Sequence, residues 1–129
     1  MSEIEPTPEQ IQNIAQLPEG APIAMINLLQ FKQPDGAEHY ARYGEQVQPH
    51  MQRVGAEVVY AGPQLQMVIG ADTRAWWDLI IVVRYPSPQA FLQMVADPDY
   101  QAVHEHRAAA LERAELIATA PGIQLQSQT

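Results

Sequence analysis

The stretch Ile23–Phe31, IAMINLLQF, decides the fold. Seven of its nine residues are apolar, and they fall on both parities of the chain. A strand that alternates apolar and polar residues needs cover on one face. A strand apolar on both faces needs cover on both. Asn27 stands in the middle of this run, and a buried amide must find partners for its N–H donors and its carbonyl acceptor. Two readings stay open. Asn27 is tied to a neighbouring strand backbone, or it faces a cavity and polarises a ligand carbonyl or oxyanion.

A second stretch has the same character. Trp77–Tyr85, WDLIIVVRY, reads as another long, doubly covered strand. Between the two lie a helix and two short strands. QPDG is a turn, with Asp35 and Glu38 as a capping pair for the helix that follows. That helix carries Tyr40, Tyr43, Val47, Met51 and Val54 on one stripe, and Pro49 predicts a kink or break near Gln48. GAEVVYAG and QLQMVIG read as short strands joined by a hairpin at Gly62-Pro63. Before the first strand, Thr7 caps a short helix with Pro8 at its first position and Gln10 completing a capping box. After the second, Ser87-Pro88 and Asp97-Pro98 open two helices, the latter running to about Arg113. AELIATA is a final strand, and the tail IQLQSQT frays or adds to an edge.

The order is a helix followed by β-α-β-β-α-β, a ferredoxin-like α+β pattern with an antiparallel sheet. The chain divides into a loose stretch at 1–7, one domain over 8–120, and a tail at 121–129. Its own helices can cover only one face of the sheet. A second copy's sheet is the simplest cover for the other, giving a homodimer.

Composition narrows the partners. The 129-residue chain is 47% hydrophobic, has 7 Lys+Arg against 15 Asp+Glu, and carries a formal charge of −8. Such a balance opposes nucleic acid and an anionic membrane surface as partners. With no cysteine, disulfides, thiolate nucleophiles and zinc–thiolate sites are excluded. No apolar run is long enough to span a bilayer, and the acidic start MSEIEPTPEQ lacks the features of a signal peptide, so a cytoplasmic location is expected.

The segments MINLLQF, YARYGEQVQP, GAEVVYAG, WDLIIVVRYPSPQAFLQMVADPDYQ and HRAAALERAELIATAP together resemble the domain of unknown function family 1330, over roughly residues 8–120. This family is a branch of the dimeric α/β-barrel superfamily. The resemblance implies two ferredoxin-like protomers with sheets face to face and a pocket in each. It implies no activity, since related branches include monooxygenases, lactone isomerases, haem enzymes, stress-response dimers and ligand-sensing domains.

Arg107 is the most informative polar residue. It shares a helical stripe with Tyr100, Val103, Leu111 and Ala114, so it points inward, where an arginine needs a partner. It holds a ligand carboxylate or enolate, or it pairs internally with an acid such as Asp78 or with strand carbonyls. His104, three residues earlier, is the one near-neutral base in phase with it and the weak catalytic candidate. Tyr40 and Tyr43 lie on an inward stripe, and their hydroxyls need partners. Arg84, at a strand end, binds a ligand or simply reaches water with its head. The ligand-binding set is therefore Asn27, Tyr40, Tyr43, Arg84, His104 and Arg107. His104 and His106 point about 200° apart on a helix and cannot share a metal, and neither metal nor cofactor is expected. The favoured function is binding of a small carbonyl- or carboxylate-bearing molecule in a mostly apolar pocket. The alternatives are a cofactor-independent monooxygenase or isomerase, or a structural or sensing dimer.

Overall fold

A computed structural model describes residues 4–121. The elements run α1 (Pro8–Ala15), β1 (Ile23–Phe31), α2 (Gly36–Val54), β2 (Glu57–Gly62), β3 (Leu79–Tyr85), α3 (Pro88–Ala96), α4 (Pro98–Ala110) and β4 (Leu111–Thr119). The four strands form one antiparallel sheet in the order β2-β3-β1-β4. This is the ferredoxin-like arrangement, with an added helix at its start.

The two apolar stretches are neighbours at the sheet centre, Ile23 opposite Tyr85 and Leu29 opposite Leu79. Their odd-numbered residues face the helices. Ile23, Met25, Val83 and Tyr85 pack with Tyr43, Val47 and Met51 of α2, Phe91 and Met94 of α3, and Tyr100 of α4. A second cluster joins Leu29 to Ala110 and Leu111, all three fully buried. On the opposite face Ile26, Leu28, Ile80 and Val82 join neither cluster and are only half-buried. Among the described residues, no helix is long and apolar enough to cross a membrane.

Local sequence explains most boundaries. Thr7 closes the capping box with Gln10. Ser87 Oγ accepts from the Ala90 N–H, and Asp97 Oδ1 accepts from the N–H groups of Asp99 and Tyr100. The bond from the Asp99 N–H does most to hold the Asp97 carboxyl below its usual range. Gly55 ends α2 in the left-handed conformation at φ 79°, which costs a glycine nothing.

Five expectations are corrected. Gln64–Gly70 is not a strand, and Gly62-Pro63 is not a hairpin turn. The chain leaves β2 in a long loop whose base is clipped by Gln64, which bonds the Trp77 carbonyl and N–H. Helix α2 continues through Pro49, so the break named as one outcome near Gln48 does not occur; its buried face (Tyr43, Val47, His50 and Met51) holds it against the body. The Asp35 side chain makes no capping bond to the backbone and lies near His39 instead. Helix α4 stops at Ala110, so Leu111 and Ala114 belong to β4 rather than to the helical stripe of Arg107. Pairing with β1, Ala114 opposite Leu29, overrides the helix propensity of ALERAEL. The tail IQLQSQT, expected to fray or add to an edge, lies outside the described residues.

Candidate functional site

A cavity of about 720 Å³ lies between the helix face of the sheet and helices α2, α3 and α4. Strand β1 supplies Met25 and Asn27, α2 supplies Tyr40 and Tyr43, and α4 supplies Tyr100, His104 and Arg107. Most of the remaining lining is aliphatic or aromatic, as expected of a small-molecule pocket.

Arg107 is 8% exposed. Its one hydrogen bond among the described residues runs from Nη1 to the Ile4 carbonyl at 3.2 Å. Asp78, the internal acid considered for it, instead accepts from the Phe31 N–H at 2.8 Å. No carboxylate of the described residues lies within ion-pair distance of the Arg107 guanidinium. One turn earlier, His104 Nε2 meets both carboxylate oxygens of Glu5, at 2.8 and 3.0 Å. Among the described residues, its Nδ1 is buried with no hydrogen-bond partner. Through Ile4 and Glu5, the end of the stretch before α1 thus reaches Arg107 and His104 of α4.

The tyrosines form a connected group. The Tyr43 and Tyr100 hydroxyls lie 2.9 Å apart, and the Tyr40 ring tilts against Tyr43. Burial pushes Tyr40 up to about 12, with Arg107 pulling the other way. Burial likewise raises Tyr43 well above the usual phenol value, with Tyr100 adding to it, and burial raises Tyr85 and Tyr100 too. At neutral pH these hydroxyls are intact O–H groups that can donate to a ligand oxygen. The shifts also bear on stability. A phenol whose folded value is raised stabilises the fold fully below the unfolded value near 10, and that contribution is lost as pH rises through the folded value. Stability measured by chemical denaturation is therefore expected to fall steeply between about pH 10 and 12, by roughly 3 kcal/mol from Tyr40 alone. An ultraviolet titration in which the buried tyrosines ionise reversibly near 10 in the native state would contradict this.

Asn27 sits on the helix face and lines the cavity. Its Nδ2 donates to the carbonyls of Ile81 at 3.3 Å and Met25 at 3.4 Å. The strand backbone thus takes its donors, and its carbonyl oxygen is the group left to meet a ligand. Arg84 stands apart from the other five. It lies on the opposite sheet face, exposed, 3.5 Å from Glu57, and does not line the cavity. Sequence reasoning missed Ile4, Glu5 and Tyr100 as site residues. Tyr100 was legible from its stripe position beside Arg107, whereas no local signal marks Ile4 or Glu5. No group of three or more metal-ligating side chains occurs among the described residues.

The comparisons agree with this architecture. The crystal structure of RPA0582, a protein of unknown function from Rhodopseudomonas palustris, is 36% identical, with a TM-score of 0.84 over 94% of this chain and 98% of that one. A putative antibiotic biosynthesis monooxygenase from Bacteroides thetaiotaomicron is 18% identical, with a TM-score of 0.59 over 80% of this chain and 91% of that one. A dimeric protein of unknown function and ferredoxin-like fold from Bacteroides fragilis is 8% identical, with a TM-score of 0.54 over 77% and 95%. The last two likenesses concern the fold alone. No curated protein matches the sequence. The family model described as Domain of unknown function (DUF1330) matches residues 25–120, and this chain belongs to that family.

Proposed function

We propose that this protein binds a small, largely apolar molecule carrying a carboxylate or carbonyl group, with the polar head at Arg107 and the body along the apolar wall. One observation carries this reading. A guanidinium only 8% exposed spends a single hydrogen bond on a backbone carbonyl and has no carboxylate beside it among the described residues. Burying a charge without a counter-charge is costly, so an anionic or strongly accepting ligand is its natural complement. The Tyr40, Tyr43 and Tyr100 hydroxyls, held protonated, add donors nearby.

The same reading includes a homodimer formed through the uncovered sheet face. Supporting it are the half-buried Ile26, Leu28, Ile80 and Val82 of the central strands and a solved relative of the same fold described as dimeric.

A thermal-shift panel of apolar carboxylates, ketones, lactones and phenols tests the ligand. At a hundredfold excess over Kd, a true ligand is expected to raise Tm by roughly 5–10 °C. Arg107→Gln should weaken a carboxylate by at least about 30-fold while the variant keeps its circular dichroism. A panel with no responding compound, or an Arg107→Gln protein that binds as tightly as the parent, would defeat the proposal.

A further inference from the structure

Resting on the carboxylate reading above, we propose that the N-terminal strap Ile4–Pro6 is a built-in occupant of the anion corner. The Ile4 carbonyl and the Glu5 carboxylate satisfy Arg107 and His104 until an apolar monocarboxylate displaces them.

Three observations combine. The strap makes the very contacts such a head group would make. A carbonyl oxygen takes Arg107 Nη1 at 3.2 Å, and a carboxylate takes His104 Nε2 at 2.8 and 3.0 Å. Hydrogen bonds hold the strap only lightly, and its one apolar anchor is Ile4, half-buried against the Leu29, Ala110 and Leu111 cluster. Among the described residues, Ile4–Pro6 have no other hydrogen bond, and the chain is anchored again only at Thr7. The Glu5 side chain is 52% exposed, so this carboxylate can return to water at little cost, whereas Arg107 cannot. Finally, the strap is a partition. The 720 Å³ cavity adjoins a second space of about 510 Å³ on the side of α1 and β4. Glu5, Pro6, Met25, Phe91, Arg107 and Leu116 line both. Lifting the strap would join the two spaces beside Arg107 and His104.

The ligand class follows from the chemistry. The corner offers one guanidinium and one imidazole N–H, enough for a single carboxylate head. The walls beyond are apolar, which suits a chain or ring body without further charge. While Glu5 sits on His104, its negative charge also opposes a second carboxylate at the same place. Apparent affinity is then the intrinsic affinity scaled by the fraction of protein with the strap released.

Calorimetric titration with decanoate, below its micellar range, and with decanamide as the neutral counterpart tests this on the full chain. Glu5→Gln is expected to bind decanoate about tenfold more tightly than the parent, and decanamide more tightly as well, because the neutral head needs the same released strap. The gain should vanish in a His104→Gln background, because the competition is for that ring. A decanoate affinity unchanged or weakened in Glu5→Gln, with the parent still binding, overturns the strap while leaving the carboxylate site standing. A gain that persists in the His104→Gln background also overturns it, since general charge repulsion would then suffice. Absence of decanoate binding to both parent and Glu5→Gln rejects the strap proposal, and with an unresponsive thermal-shift panel it rejects the carboxylate site as well.

Discussion

Val82→Asp is expected to turn the proposed dimer into a monomer that keeps its fold. Val82 lies on β3 opposite Ile26, at the centre of the sheet face that no helix of the described residues covers, and takes no part in the helix-side core. A carboxylate there costs the isolated protomer little, because water reaches it. In a face-to-face dimer the same group is buried without a partner, and two-fold symmetry brings a second copy of the charge close by. Each effect is worth several kcal/mol, so the dimer Kd should rise by about 1,000-fold or more. Sedimentation at micromolar concentration should give twice the chain mass for the parent and the chain mass for the variant, with matching circular dichroism. A parent that sediments as a monomer, or a variant that stays dimeric, would refute this arrangement.

Gly36→Ala is expected to lose about 2–4 kcal/mol, although alanine is the better helix former. Gly36 opens α2 where the helix passes the junction between α4 and β4. An added Cβ would lie 2.5 Å from the Ala110 carbonyl oxygen, 3.0 Å from Phe31 Cβ and 3.2 Å from the Phe31 carbonyl carbon. Two of these are backbone atoms that cannot rotate away, and the Ala110 oxygen already accepts from the Lys32 N–H at 2.8 Å. Relief requires moving Ala110 and Leu111, both fully buried. Gly44 in the same helix is the control, since an added Cβ there meets nothing within 4 Å. Gly44→Ala should gain about 0.5–1 kcal/mol. Urea midpoints compare the pair directly, and equal midpoints for both variants would disprove the close-approach argument. Arg107 lies one turn before Ala110, so Gly36→Ala should also weaken carboxylate binding.

These residues also mark how far the chain could be read before its structure. The two central strands were legible because stretches of nine and seven residues so rich in apolar side chains on both faces have few other homes. The caps at Thr7, Ser87 and Asp97 were legible because capping is decided within three or four residues. Where distant partners decide, the reading failed. The pattern QLQMVIG suits a strand, but β2 pairs with the later β3 rather than with the stretch that directly follows it. Leu65, Val68 and Ile69 therefore stand in a loop, 87–91% exposed. In the same way, Ala-rich sequence carried the expected α4 three residues too far, until pairing with β1 claimed it. The cavity was half legible. The helical stripes placed Tyr40, Tyr43, His104 and Arg107 on inward faces. The side of the sheet carrying Asn27 could not be read, since both sides are apolar. Nor could the contacts of Glu5 and Ile4 with α4, which join residues 99 and 103 apart in the chain.

The strand order has one further consequence. The long loop between β2 and β3 divides the chain into a first part holding β1 and β2 and a second part holding β3 and β4. In the sheet these alternate, second-part strands each lying against first-part ones. A single cut in that loop would sever the polypeptide without parting its pieces, because each piece is dovetailed into the other. This fold is thus a ready-made pair of complementing fragments, neither of which owns a sheet alone.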